Sequence, residues 1–340
     1  MKYKKLGDTG LLVSELCLGT MTFGGKGIWT NIGQLEQDIV NQMVKGAIDA
    51  GINFIDTANV YSEGMSETMT GKAIKDLGLK REDLVIATKV LGRMGPGSND
   101  AGLSRKHILA QADASLKRLD MDYVDLYQIH GVDPLTPYEE TMDALNTLIQ
   151  NGKVRYIGCS NHPAWKIMKA NAISERKDLA RFQSLQAYYT IASRDLEREI
   201  VPMLHDQKMG LMVWSPLAGG FLTGKYRREG NEDSNSRRIN FDFPPINKER
   251  AFDVIDTIEP IAKSKGVSIA QIALAWLLHQ QVVTTVIIGA KKMDQLDDNL
   301  KAIDIQLTSD ELSKLNEVSA LPAEYPGWML ERQGSNRKEG

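Results

Sequence analysis

Eight short apolar runs, separated by longer stretches of helical character, constrain this chain more than any other feature of it. They cover residues 14–19, 53–56, 84–89, 123–130, 154–160, 184–187, 211–214 and 285–288. Between residues 104 and 119, Ser104 is placed to cap a helix, and Ile108, Ala112, Leu116 and Leu119 recur at near-helical spacing. Similar patterns cover 38–50, 137–150, 194–207 and 268–280. Strands that alternate with helices pair in parallel through right-handed crossovers. Eight such units close on themselves as a (β/α)8 barrel. Two further short runs, 3–6 and 11–13, flank the turn Gly7-Asp8-Thr9-Gly10 and read as a β-hairpin able to plug the bottom of that barrel. The expected fold is α/β, a (β/α)8 TIM barrel with an N-terminal β-hairpin cap. It forms one domain over residues 1–340, with the hairpin at 3–13, a polar inserted loop at 227–245 and a tail at 322–340.

Composition matters chiefly for what it excludes. Lys and Arg number 41 against 44 Asp and Glu, a formal net charge of -3, so there is no basic footprint for nucleic acid. The opening MKYKKLGD is basic but leads into no apolar segment of the signal-peptide kind. No run approaches the ~18 uninterrupted apolar residues of a membrane span. A cytoplasmic protein is expected, with Cys17 and Cys159, each inside an apolar run, as buried reduced thiols. No Cys, His and acid cluster has metal-ligand spacing, so no metal is expected.

In such a barrel, chemistry belongs at the C-terminal ends of the strands, and here the runs end in polar residues. The second ends at Asp56, with Tyr61 five residues on. The third ends at Lys89, the fourth at His130 and the fifth at Ser160-Asn161. The sixth carries Gln186, the seventh ends at Trp214-Ser215 and the eighth at Gly289. Any one of these alone reads as a capped turn or a solvated rim. His107 and His162, at a helix start and in a loop, keep that reading. Taken together, Asp, Tyr, Lys and His make chemical sense. A phenol has an ordinary pKa near ~10; an adjacent ammonium favours the phenolate and lowers it, and a carboxylate keeps that ammonium charged. A histidine beside them can stabilise charge developing on the same substrate oxygen. This is equipment for protonating a carbonyl oxygen, as a hydride-transfer reduction requires.

The stretch WSPLAGGFLTGKY (214–226) contains a GxxxxGK pattern after an apolar run, the core of a nucleotide-triphosphate P-loop. That motif needs a Ser or Thr after the Lys to hold Mg²⁺, and a helix opening at the GK. Tyr226 stands at the first position and a glycine-broken polar stretch follows. An NTPase is therefore not expected, and no GxGxxG opens a helix anywhere in the chain.

The whole chain resembles the aldo-keto reductase superfamily. GINFIDTANVYSEGMSE is similar to its Asp–Tyr segment, VIATKV to its lysine strand and DYVDLYQIHGVDP to its histidine strand. GKVRYIGCSNH is similar to its Gly-Lys-x-Arg-x-x-Gly-x-Ser-Asn stretch, and VIIGAKKMDQLDDNLKA to its adenosine-binding motif. The segment WSPLAGGFLTGKY most resembles the branch of bacterial ketone reductases and potassium-channel β subunits.

The resemblance implies NADPH bound without a Rossmann domain. It also implies Asp56, Tyr61, Lys89 and His130 as the catalytic four, with Tyr61 the general acid. By the same likeness, Thr20, Met21 and Asp56 border the cofactor, Ser160, Asn161 and Gln186 hold the nicotinamide carboxamide, and Trp214 lies flat against its ring. Ser215, Pro216, Leu217, Ala218 and Gly219, with Lys225, close over the pyrophosphate. Arg237, in the polar insert, falls where this branch can place a cation over the cofactor. Gly289, Lys291, Gln295, Asp298 and Asn299 meet the adenosine, Lys291 favouring NADP by its charge near the 2′-phosphate. The implied activity is NADPH-dependent reduction of a small-molecule aldehyde or ketone to an alcohol; oligomers occur in this branch. The alternative, from the channel-β relatives, is a redox-sensing NADPH-binding regulatory subunit with slow turnover. His130 and the short N-terminus favour the enzyme. The loops at 22–31 and 91–102 and the tail would set specificity, with Phe23, Trp29, Met94 and Trp328 available to line an apolar pocket.

Overall fold

The computed structural model describes residues 1–228, 230–231, 238 and 241–335. A hairpin opens the chain: β1 (Tyr3–Lys5) pairs antiparallel with β2 (Leu12–Ser14). The barrel strands follow as β3 (Leu16–Gly19), β4 (Phe54–Asp56), β5 (Val85–Val90), β6 (Val124–Ile129), β7 (Val154–Ser160), β8 (Ser184–Tyr188) and β9 (Gly210–Trp214). A short hairpin of β10 (Tyr226–Arg227) and β11 (Gly230–Asn231) precedes the last strand, β12 (Val283–Ile288). Eight of these close a parallel barrel in the order β12-β3-β4-β5-β6-β7-β8-β9, as the alternation of runs implies.

Because side chains alternate along a strand and both faces of a closed parallel sheet are covered, the strands read as continuous apolar runs. Outward residues pack against the helices in one large core; inward residues form a second, enclosed cluster of Cys17, Phe54, Val85, Ala87, Leu126, Met212 and Ile287. Leu6 and Val13, both fully buried, join that inner cluster from the hairpin end, so the hairpin does plug the barrel. Two residues further along the same inward series, the filling changes character. Phe54 is followed by Asp56, Ala87 by Lys89, Leu126 by Gln128 and then His130, and Met212 by Trp214. An apolar floor therefore carries a polar layer.

The helices are α1 (Gln37–Asp49), α2 (Met65–Asp76), α3 (Arg105–Leu119), α4 (Tyr138–Gln150), α5 (Ala164–Lys177), α6 (Ile200–Gln207), α7 (Lys248–Lys265), α8 (Ile269–Leu278), α9 (Met293–Leu300), α10 (Ser309–Val318) and α11 (Gly327–Gly334). Ser104 caps α3, its side chain accepting from the His107 backbone N–H. Helix α8 is buried from Ala270 to Leu277, and a Ser268/Gln271 capping box fixes its start. Among the described residues no single helix is long and apolar enough to cross a membrane.

Most boundaries move by one or two residues from the sequence reading, and three differences have a local cause. The first barrel strand starts at Leu16, because Ser14 belongs to the hairpin, opposite Tyr3. The helix expected from 194 starts at Ile200, because Arg194 clamps Glu197 with Nε–Oε1 at 2.7 Å and Nη2–Oε2 at 2.9 Å, holding residues 195–197 as a 3-10 turn. The expected loop from 227 opens with the β10–β11 pair.

Candidate active site

The polar layer is built around one ion pair. Lys89 Nζ lies 2.6 Å from Asp56 Oδ2, and the two side chains are 0% and 3% exposed. The same ammonium donates to the Thr57 carbonyl at 2.7 Å and to the Tyr61 hydroxyl at 3.2 Å. Asp56 Oδ1 accepts from Gln186 Nε2 at 2.9 Å and from Gln128 Nε2 at 3.1 Å. The His130 ring stands edge-on to Tyr61, centroids 5.8 Å apart. Lys89 thus links Asp56 to the Tyr61 hydroxyl, and His130 packs against the Tyr61 ring.

The electrostatics correct one expectation. Burial raises the Tyr61 phenol and outweighs the Lys89 ammonium that opposes it, so the shift is upward and not the expected lowering. Lys89 would be lowered by burial, but Asp56 and Tyr61, by charge and hydrogen bond, raise it instead. His130 is pushed down to about 3, first by burial and then by the Lys89 charge. At neutral pH the layer therefore holds a protonated phenol, an ammonium and a neutral imidazole.

Tyr61 is held by strained backbone. Ser62 and Glu63 both take left-handed φ (49° and 55°) before Gly64 at 90°. Such residues cost of order 1–3 kcal/mol each and persist where surroundings enforce them. Here Ser62 Oγ donates to the Phe23 carbonyl at 3.0 Å, and the Trp29 ring packs edge-on against Tyr61 at 5.1 Å.

A cavity of about 890 Å³ opens above this layer. Asp56, Tyr61 and His130 floor one end; Lys291, Gln295, Asp298 and Asn299 line the other. Between them come Thr20, Met21, Ser160, Asn161, Gln186, Trp214, Ser215, Pro216, Leu217, Gly219, Lys225 and Gly289. Lys89 does not line the cavity; it lies beneath it. Ser160 Oγ is buried there with no hydrogen-bond partner, which fits a site that receives a polar ligand group.

Other expected positions are arranged differently. Ala218 is not brought to the cavity: its side chain is in the core, its N–H donates to Ser215 O and its carbonyl accepts from Arg238 Nη1 at 2.8 Å. Arg237 lies outside the described residues. Its neighbour Arg238 is buried and ties the 218 loop to the insert, donating also to the Pro244 carbonyl at 2.9 Å. Gly219 permits that closure, since a Cβ there would meet Phe243 O at 2.5 Å. Asn161 has both ends of its amide engaged, Oδ1 accepting from Trp214 Nε1 at 3.0 Å and Nδ2 donating to His130 O at 3.2 Å, which leaves one N–H for a ligand. Asp298 is turned to the start of α8, with Ser268 Oγ and Gln271 Nε2 at 2.7 and 2.8 Å. No helix opens at Gly224-Lys225, as the P-loop argument anticipated. Of the apolar pocket candidates only Trp29 lines the cavity; Phe23 is core, and Met94 and Trp328 lie elsewhere.

Sequence reasoning missed Gln128, which the strand's period of two places inward between Leu126 and His130. It also missed Phe241 and Phe243, which line the cavity from the insert; Phe243 stacks on Trp214 with centroids 5.9 Å apart and planes within 8°. Tyr188 packs on the same indole at 5.0 Å. Lys292, beside Lys291, also lines the far end.

Comparison with known proteins agrees with this architecture. The chain is 40% identical over 326 residues to "Probable voltage-gated potassium channel subunit beta" of Oryza sativa subsp. japonica, covering 94% of this chain and 96% of that one. It is 37% identical over 326 residues to "Uncharacterized oxidoreductase YrpG" of Bacillus subtilis, with the same coverage. It is 35% identical over 345 residues to "Versiconal hemiacetal acetate reductase" of Aspergillus parasiticus, covering 96% of this chain and 99% of that one. The model of the Aldo/keto reductase family matches residues 15–320, and the chain belongs to that family of oxidoreductases.

Proposed function

We propose that this protein reduces an aldehyde or ketone to an alcohol with NADPH. The observation that carries the proposal is the Lys89 ammonium, bonded at once to Asp56 Oδ2 and to the hydroxyl of Tyr61, under a cavity with an unpartnered Ser160 hydroxyl. NADPH, when bound, supplies the hydride. Ser160, Gln186 and the remaining Asn161 N–H are the groups for its carboxamide, with Thr20, Met21 and Trp214 around its ring. Ser215, Pro216, Leu217, Gly219 and Lys225 are those for its pyrophosphate, and Gly289, Lys291, Gln295, Asp298 and Asn299 those for its adenosine.

The chain's own part is the proton. Tyr61 keeps its proton at neutral pH and delivers it to the substrate oxygen as negative charge develops there. The phenolate left behind faces the Lys89 ammonium 3.2 Å away, an interaction that strengthens only as the proton departs. His130, neutral, can donate a hydrogen bond to the same oxygen but has no acidic proton to give. The acid is therefore Tyr61.

The test is NADPH oxidation by the purified protein against a panel of aldehydes and ketones, with NADH in parallel. Tyr61→Phe should keep NADPH affinity and lose roughly 10²–10⁴-fold in turnover; full activity in that variant would remove Tyr61 as the acid. A second reading follows from the relatives named as channel β subunits: a regulatory NADPH-binding protein. It would bind NADPH and turn over the whole panel very slowly.

A further inference from the structure

Resting on the carbonyl-reductase reading, we infer that Gln128 is a positioning residue: its side-chain amide orients both the carboxylate of Asp56 and the amide of Gln186. Gln128 is fully buried, does not line the cavity and touches no ligand space. In the barrel wall it sits in register with Lys89 on one side and Gly158 on the other. Gly158 supplies the room, since a Cβ there would lie 2.6 Å from Ser184 Oγ and 3.4 Å from Gln128 Cγ.

The chemistry of the partners fixes the direction of each bond. Asp56 Oδ1 is acceptor-only, so both amides must turn their nitrogens toward it: Gln128 at 3.1 Å, Gln186 at 2.9 Å. Gln128 Oε1 is then left to accept from Gln186 Nε2, at 3.4 Å. Two consequences follow. Asp56 has donors on Oδ1 that do not compete with Lys89 on Oδ2, so the carboxylate plane is held and the ammonium stays under Tyr61. Gln186, with its nitrogen tied inward by two acceptors, presents its carbonyl as the branch available to a donor in the cavity. Any ligand amide that draws Gln186 away leaves Gln128 as the remaining side-chain donor on Oδ1. Without it, that buried oxygen would have none among the described residues.

Two variants test this against a merely structural role. Gln128→Met keeps length and volume and removes both bonds; Gln128→Glu keeps the shape but sets a second acceptor against Oδ1. Melting temperature, NADPH Kd by fluorescence titration, and kcat and KM per NADPH-titrated site are measured across pH for each. In Gln128→Met, kcat should fall roughly 10- to 100-fold, the equivalent of one hydrogen bond to a charged group, with KM for the carbonyl little changed. Its pH–rate profile should no longer superimpose on that of wild type. NADPH Kd should rise several-fold as Gln186 loses its orientation. Gln128→Glu should be the worse of the two at neutral pH. A Gln128→Met protein with wild-type kcat, pH profile and Kd per site, or a Gln128→Glu protein better than it, overturns the inference. If wild type binds NADPH but reduces no carbonyl, the reductase reading has failed; the inference is then decided by Kd, supported by weaker binding in Gln128→Met and overturned by equal binding. A wild-type protein that binds no NADPH overturns both.

Discussion

Lys89→Met isolates the energetics of the buried pair from its chemistry. With the charges 2.6 Å apart, their attraction at an effective dielectric of about 20 is roughly 6 kcal/mol. Desolvating each ion costs several kcal/mol, so the intact pair contributes little net stability. Removing the ammonium alone takes away the attraction and leaves the carboxylate buried, a loss of about 3–5 kcal/mol. At ~2.1 cal/mol/K per residue, a chain of 340 residues unfolds with an entropy of about 0.7 kcal/mol/K. The expected fall in Tm is therefore roughly 4–7 °C.

The assay is paired thermal and urea melts, with Asp56→Asn/Lys89→Met as the control. That double variant holds neither charge and should recover most of the loss. A single variant within about 1 °C of wild type, or a double variant no more stable than the single one, would show that the pair is not desolvated as its burial implies.

Lys291→Ala should weaken NADPH roughly tenfold, the low end for a charge-assisted contact at an exposed residue, and NADH hardly at all; equal effects on the two cofactors would remove Lys291 from the 2′-phosphate. Cys17 and Cys159, buried and pushed up in pKa by that burial, should resist a thiol reagent in the native protein and react fully in denaturant; fast native labelling would contradict their packing. Arg238→Ala removes the donors to Ala218 O and Pro244 O, so NADPH should dissociate several-fold faster in stopped flow with kcat for chemistry unchanged, and an unaltered off-rate would show that the insert does not restrain the cofactor.

What could be read from the chain alone was what a period of two or 3.6 encodes. The eight strands were legible because parallel strands buried on both faces leave unbroken apolar runs, and their polar ends marked the rim of the cavity. Helix α10 carries a legible start as well, the Thr308/Glu311 capping box, outside the strand–helix alternation. Burial was less legible. The sequence places a lysine near a tyrosine and suggests a lowered phenol; only the closed layer shows that desolvation outweighs the charge. Contacts across the barrel were not legible at all. Gln128 and Gln186 stand 58 residues apart, and nothing local announces that both reach the same oxygen. In the same way nothing local announces that the Arg238 guanidinium reaches the Ala218 and Pro244 carbonyls.

Relatives named as reductases and relatives named as channel subunits align with this chain over the same length, so similarity alone does not divide the two readings. The observation behind the proposed reductase reading is the setting of Lys89. It does not line the cavity; its bonds go to Asp56, the Thr57 carbonyl and the Tyr61 hydroxyl. As a stabilising element it is poor, because a buried ion pair rarely outperforms apolar residues of the same volume. A protein that only held a dinucleotide would gain nothing from an ammonium below a protonated phenol. The one process that gains is loss of the phenol proton to an oxygen above it, during which attraction to Lys89 grows while the ground state is left almost unchanged. The buried lysine is thus the feature on which our proposal of proton delivery rests.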